Sequence, residues 1–300
     1  MIFAAIDIGS NAIRLLFANA FSQGEKIRVE KATLIRIPIR LGMDVYNNNK
    51  ISKDRADRLI KTLKAFKLLI DVYKPKAYTA CATAAMREAT NGAELIKKIK
   101  KETGIEVRLI DGLEEAAIIR ASDDHWLPPE STLTMYADLG GGSTEISILS
   151  NHNLVAASSF KIGTLRLLSD KVQASEWEAM ENWLMQFEKD FGNITLVGSG
   201  GNINKIAKIY GKPDGMSISA EELEKASAHL KSYDLQQRIE MLGLRPDRAD
   251  VIVPASEVFL FLTRITKAKT VIVPKIGLAD GLIYQLFENY LHRKKKKTSA

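Results

Sequence analysis

A strand that closes on an aspartate, then a glycine turn, then a second strand, occurs twice in this chain. That internal repeat limits the fold more than any other feature. In the first copy, the buried-strand run Ile2 to Ile8 ends in Asp7-Ile8-Gly9-Ser10-Asn11, and a strand-like run over Ala12 to Ala20 follows at once. The spacing predicts a tight turn at Gly9-Ser10-Asn11 between paired strands. In the second copy, Thr132 to Leu139 ends in Asp138-Leu139-Gly140-Gly141-Gly142-Ser143-Thr144, and Glu145 to Leu149 is strand-like again.

Around these copies, helical and strand-like segments alternate, which is the rhythm of an α/β chain. Leu59, Ile60, Leu63, Phe66, Leu69, Ile70 and Tyr73 recur at helical spacing between Ser52, a plausible N-cap, and Pro75. Strand Ala77–Cys81, a helix over Ala84–Lys101, strand Ile105–Ile110 and a helix from about Leu113 follow. The paired prolines of Asp123-Asp124-His125-Trp126-Leu127-Pro128-Pro129 mark the expected boundary. After the second copy, a short strand Ile194–Val197 runs into a third glycine turn, Gly198-Ser199-Gly200-Gly201, and a helical stretch at Asn202. Helices around Ser219–Lys231 and Asp250–Thr263, strand Thr270–Val273 and a last helix from near Leu278 complete the chain. Two α/β domains of similar design, facing each other across a cleft, are expected: residues 1–124 and 125–281.

Composition narrows the classes. Of 300 residues, 46% are apolar and 26% charged, the balance of a globular chain. A single cysteine, Cys81, rules out an intrachain disulfide and a cysteine-rich zinc site, and fits a reducing, cytoplasmic compartment. No run of about 18 uncharged apolar residues predicts a membrane span, and the N-terminus lacks a basic leader. The net charge of +7 is mostly terminal: Arg293 to Lys297 hold five of the 43 basic residues, and without them the balance against 36 acidic residues is +2. Basic residues there complement a helix dipole, so no nucleic-acid partner is expected.

The turns carry the chemistry. Glycines and small hydroxyl residues in a hairpin expose backbone N–H groups on one side, an anion nest, and the missing Cβ lets phosphate oxygens approach. Two such turns would grip one phosphate chain, and the aspartate before each would hold Mg²⁺ largely through water. No G-x-x-x-x-G-K-[ST] and no G-x-G-x-x-G sequence is present, the four histidines are scattered, and no G-x-S-x-G elbow occurs. Glu114-Glu115, at a helix start, could orient an attacking water, with only one of them facing the cleft. Arg87 could contact phosphate.

These residues fall in order along a known pattern. Ala4-Ala5-Ile6-Asp7-Ile8-Gly9-Ser10-Asn11, Ala82-Thr83-Ala84-Ala85-Met86-Arg87-Glu88-Ala89, Ile110-Asp111-Gly112-Leu113-Glu114-Glu115-Ala116 and Asp138-Leu139-Gly140-Gly141-Gly142-Ser143-Thr144-Glu145 resemble the exopolyphosphatase/guanosine pentaphosphate phosphohydrolase family. Gly163-Thr164-Leu165-Arg166-Leu167, Gly198-Ser199-Gly200-Gly201, Arg248-Ala249-Asp250-Val251-Ile252 and Gly277-Leu278-Ala279-Asp280-Gly281 extend the resemblance over essentially the whole chain.

The resemblance implies two actin-like (ribonuclease H-like) domains with the active site in the cleft. It also implies a C-terminal helix, about residues 282–297, packed back on the first domain. Mg²⁺-dependent release of terminal phosphate from inorganic polyphosphate or guanosine pentaphosphate is the implied reaction. Glu115 resembles the base that activates water. Asp138 and Gly140 fall where water, metal and phosphate are held, and Asp7 matches the first cleft aspartate. Gly9, Ser10, Asn11, Arg87, Gly141, Gly142 and Ser143 match the phosphate-contacting loops. Asn202 stands where the family usually has threonine, and Ala279-Asp280 replaces a common Arg-Glu pair. The chain looks like the short two-domain form.

Three functions fit this pattern: a phosphoanhydride hydrolase, an actin-like ATPase or kinase, and a non-catalytic sensor of polyphosphate or guanosine tetraphosphate. No adenine pocket or second base for an acceptor hydroxyl can be identified, which favours the hydrolase. An exposed helical face could pair two copies as a homodimer, though nothing in the sequence requires one.

Overall fold

The computed structural model describes residues 1–23, 26–121, 133–191 and 193–298. The boundary expected at Asp123 to Pro129 lies outside the described residues. The chain divides into two compact units, Met1–Ser122 joined by Ile276–Ala300, and Asp123–Lys275.

In the first unit, β1 (Ile2–Ile8) and β2 (Ile13–Gln23) form the expected hairpin, with Ile8 opposite Ile13 and Asp7 opposite Arg14. A third antiparallel strand, β3 (Lys26–Ile37), extends it, followed by α1 (Leu41–Asn48). The long helix α2 (Lys53–Tyr73) starts where its cap predicts, the Ser52 hydroxyl accepting from the Arg55 N–H at 3.3 Å. Its Leu59, Ile60, Leu63, Phe66 and Ile70 are buried. Next come β4 (Tyr78–Ala82), α3 (Ala84–Glu88), α4 (Gly92–Thr103), β5 (Val107–Leu109) and α5 (Gly112–Ala121). β1, β4 and β5 run parallel, giving the order β3-β2-β1-β4-β5.

The helix expected over Ala84–Lys101 is two helices. Between them, the Thr90 N–H donates to the Asn49 carbonyl at 2.9 Å, and the Asn91 amide exchanges hydrogen bonds with the Ile51 backbone at 3.0 and 2.9 Å. These bonds to the loop after α1 replace helical ones. At Gly92 a Cβ would lie 2.1 Å from the Met86 carbonyl oxygen, so only glycine permits the second helix to start so close to the first.

The second unit repeats the plan. β6 (Thr134–Leu139), β7 (Thr144–Ser150) and β8 (Asn153–Phe160) form an antiparallel meander, followed by α6 (Thr164–Leu168) and α7 (Ala174–Met185). β9 (Thr195–Ser199) pairs parallel with β6 and leads into α8 (Gly201–Tyr210). Then come β10 (Ser217–Ser219), α9 (Ala220–Ser232), α10 (Leu235–Glu240), α11 (Pro246–Ala249), α12 (Ile252–Thr266) and β11 (Thr270–Ile272). The order is β10-β11-β9-β6-β7-β8, so β8-β7-β6-β9-β11 repeats β3-β2-β1-β4-β5. α12 is buried on nearly every side, with Ile252, Ala255, Val258, Phe259 and Leu262 fully enclosed.

α13 (Leu278–Thr298) belongs to the first unit. Its Leu282, Ile283 and Phe287 are buried, and Phe287 meets Phe3 of β1 edge-on at 5.6 Å. At Gly281 a Cβ would stand 2.0 Å from the Ile118 carbonyl oxygen of α5, so the two helices touch backbone to backbone. Asp280, beside it, accepts from the Gly277 N–H at 3.0 Å and pairs with Lys31 of β3 at 3.0 Å.

Two outcomes follow from this packing. Gly281→Ala should lower stability by about 2–3 kcal/mol, because the obstructing atom is backbone and cannot turn aside. Thermal or urea unfolding reads the change. Burial pushes the Asp280 carboxyl above its ordinary range, and Lys31 offsets this only in part. The folded chain therefore holds that proton more tightly, and stability from this group falls as pH rises from about 3.9 through the raised value. Asp280→Asn keeps an acceptor for Gly277 and removes the titration. In melts over a pH series, its Tm relative to the parent chain should rise as pH climbs from about 4 toward neutrality.

Candidate functional site

The β1–β2 turn is closed by the Gly9 N–H donating to the Ala12 carbonyl at 3.2 Å. Ser10 is buried, its hydroxyl 2.8 Å from that of Tyr46 and accepting from the Ala85 N–H at 3.3 Å. The Ser10 and Asn11 carbonyls accept from Gly42 and Arg40, each at 2.9 Å. The turn is thus tied to the starts of α1 and α3. Asp7 is almost fully buried, and Arg14, its cross-strand partner, contacts its carboxylate at 2.5 Å. Cys81 lies beside Asp7 on β4, and burial pushes its thiol up, which keeps it an uncharged core residue.

The β6–β7 turn has the same closure, the Gly140 N–H donating to the Ser143 carbonyl at 3.0 Å. Here the carbonyls are engaged from behind. Thr164 N–H reaches the Gly140 oxygen at 3.1 Å, Leu165 N–H the Gly141 oxygen at 2.9 Å, and Arg166 Nε the Gly142 oxygen at 2.9 Å. A Cβ on Gly163 would fall 2.3–2.5 Å from Gly141 and Gly142 backbone atoms, so this contact needs glycine. Among the described residues, none accepts from the N–H groups of Gly141, Gly142 or Ser143. The turn therefore has its acceptors satisfied and its donors available, which is what an anion nest requires.

Beside that turn stand two acids. Asp138 and Glu145 are register partners across β6 and β7, so both side chains lie on one face. Glu145 is only 2% exposed, and one of its oxygens accepts from Ser143 at 2.5 Å and Ser159 at 2.8 Å. Asp138 accepts from Ser199, its partner on β9. The third turn is built for closeness: Gly200 has φ 114°, and a Cβ there would be 2.6 Å from the Leu139 carbonyl oxygen. A Cβ on Gly198 would press on Phe259 and Val271 at 2.8 and 2.9 Å.

Arg87, exposed at the end of α3, donates to the Ile110 carbonyl at 2.7 Å, which holds its guanidinium against the segment entering α5. On α5 the two adjacent glutamates diverge as helical geometry demands. Glu114 pairs with Arg108, and its N–H is capped by Asp111 at 2.8 Å. Glu115 is half-buried and makes no part of that pair. Glu145, Arg166 and Ser199 stand in motifs of the sequence but take their roles only here. The hairpin register, which sets Leu139 opposite Thr144 around the turn, is the signal for Glu145. Ser199 and Arg166 lie in segments that the sequence singles out, the third glycine turn and the Gly163–Leu167 motif, but their contacts to Asp138 and Gly142 come from tertiary neighbours.

A divalent cation can be judged against these donors. Among the described residues no three His, Cys, Asp or Glu side chains converge on one position. Asp138, half-buried beside the turn, is a hard oxygen ligand that suits Mg²⁺ completing its shell with water and substrate phosphate, whereas Glu145 is enclosed and already accepts from Ser143 and Ser159. Among the described residues no helix is long and apolar enough to cross a membrane.

Comparisons with known proteins point one way. The exopolyphosphatase 1 of Mycobacterium tuberculosis is 25% identical over 96% of this chain and 89% of its own length. A bifunctional 3-dehydroquinate synthase/phosphatase of Fusobacterium nucleatum is 29% identical over 83% of this chain, which spans 41% of that relative's length. Among solved structures, an exopolyphosphatase from Cytophaga hutchinsonii superposes with a TM-score of 0.82 at 24% identity, covering 96% of this chain and 98% of that one, and so shares the fold. The Aquifex aeolicus member of the Ppx/GppA family superposes with a TM-score of 0.75 at 26% identity, over 96% and 99% of the two chains. The sequence profile of the Ppx/GppA phosphatase family matches residues 32–290, and the chain belongs to that family.

Proposed function

We propose that this protein is a phosphoanhydride hydrolase that releases terminal phosphate from inorganic polyphosphate. The observation that carries the reading is the Gly140–Ser143 turn: α6 ties down the carbonyls of Gly140, Gly141 and Gly142, while the N–H groups of Gly141, Gly142 and Ser143 stay available beside Asp138. Exopolyphosphatases among the relatives support polyphosphate as the substrate class.

On this reading the N–H groups of Gly141, Gly142 and Ser143, and those of Ser10 and Asn11 in the first turn, hold phosphoryl oxygens, Gly140 and Gly9 close the two turns and keep the nest open to phosphate, and Arg87 adds a positive charge. Such fixed donors stabilise charge on the equatorial oxygens without reorganising during reaction. Glu115 takes a proton from the water that attacks the terminal phosphorus, in line with the bridging oxygen. That bridging P–O bond breaks, leaving a chain one phosphate shorter and free phosphate. Mg²⁺, held largely through water by Asp138, would neutralise charge on the phosphate chain when bound. Asp7 is the equivalent carboxylate of the first turn, where Arg14 compensates it.

The deciding assay is phosphate release from polyphosphate and from guanosine pentaphosphate, with and without Mg²⁺, for the parent chain and Glu115→Ala. Mg²⁺-dependent release is expected, with kcat reduced about 10²–10⁴-fold in the variant and KM little changed. An unchanged kcat rejects Glu115 as the base. Binding of both substrates without release rejects the hydrolase in favour of a sensor. Phosphate transfer that depends strictly on ATP and an acceptor selects a kinase.

A second outcome concerns the back of the nest. Gly163→Ala should disturb the Gly141–Gly142 backbone against which it packs. It should raise KM for polyphosphate severalfold and lower Tm together, read by kinetics and a thermal melt on one preparation.

A further inference from the structure

The third glycine turn has no role in the reaction as derived so far, yet it is built around one side chain. Of its four residues, Gly198 has no room for a Cβ because of Phe259 and Val271. Gly200 has none because of the Leu139 carbonyl, and its φ of 114° excludes other residues. Gly201 opens α8. Ser199 alone carries a side chain, it is buried, and its hydroxyl donates to Asp138.

We propose that Ser199 is a positioning residue that fixes the Asp138 carboxylate for the hydrolysis reaction. The argument rests on geometry at three levels. β6 and β9 are parallel neighbours in register at Asp138 and Ser199, so the two side chains leave the sheet on the same face. An O–H donor to a carboxylate is a charge-assisted bond and roughly twice as strong as a neutral one. The hydroxyl is short and lies at a strand end next to a backbone locked on Leu139, so it has little freedom to follow a carboxylate that moves. Glu145 is the register partner on the other side of Asp138, and like charges there repel. A donor on the β9 side therefore draws Asp138 away from Glu145 and selects one of its rotamers. The third turn thereby supports the second from the side, as Gly163 and α6 support it from behind.

This inference rests on the hydrolase reading, and its test separates the two. Ser199→Ala, Ser199→Thr and the parent chain are compared for polyphosphate hydrolysis, with melts to establish that each is folded. A crystal structure of the alanine variant completes the set. The expected result is a kcat about 10–100-fold lower in Ser199→Ala with KM within about twofold. Ser199→Thr, which keeps the hydroxyl, should recover most of kcat, and Asp138 should be turned or split between rotamers in the alanine structure. A kcat for Ser199→Ala within twofold of the parent overturns the inference. So does a threonine variant as slow as alanine, or an Asp138 unmoved in the alanine structure. Silence of the parent chain on polyphosphate defeats the hydrolase reading instead, and the Asp138 position still decides the role of Ser199.

Discussion

The packing of one backbone against another at the β6–β7 turn is the constraint on which the candidate site depends. A hairpin of three glycines has no side chains to hold its shape, and glycine is the residue that loses most conformational freedom on folding. Here the shape comes from outside. Gly163 sits where any Cβ would intrude on Gly141 and Gly142, and the first N–H groups of α6 take the turn's carbonyls. Arg166, itself buried, takes a further one. With every acceptor occupied on one side, the N–H groups are left on the other. The nest is therefore a product of the helix that follows β8 as much as of the glycines.

The repeat gives each unit the same hairpin, but not the same electrostatics. Asp7 faces Arg14 across its hairpin, and Asp138 faces Glu145 at the equivalent register. The first pair is close to neutral, and the second adds one acid to another. Duplicated backbone with divergent cross-strand partners lets one plan supply two environments: a compensated carboxylate, and an acidic pair that hydroxyl donors from Ser143, Ser159 and Ser199 must stabilise. The serine donors are concentrated on the unit that needs them.

Elements with strong periodicity or strong punctuation were legible in advance. β1, β6, β7, α2 with its Ser52 cap, α9 behind Ser219 and the start of α13 fall within a residue or two of the expected positions, and β2 starts as expected but runs three residues past Ala20. β3 and β8 were not. The segment over β8 is largely exposed along its first half, so it offers no buried alternation to read. The break between α3 and α4 was also hidden, because it is set by Asn49 and Ile51, residues distant along the chain. Of the site, the aspartates and glycine turns were visible because they punctuate strands.

By itself the sequence determined the two hairpins, their aspartates and their glycines, since a strand that ends in a turn leaves a local signature of period and composition. It also determined that one of two adjacent glutamates on α5 would stand apart, because residues neighbouring on a helix diverge by about 100°. Tertiary structure decided that Glu114 is the one bound to Arg108, that Glu145 joins Asp138, and that Ser199 reaches that carboxylate. Those outcomes depend on which strands and helices become neighbours. The Ser199 contact joins residues 61 apart, leaves no local period to read, and exists only once β9 has paired with β6.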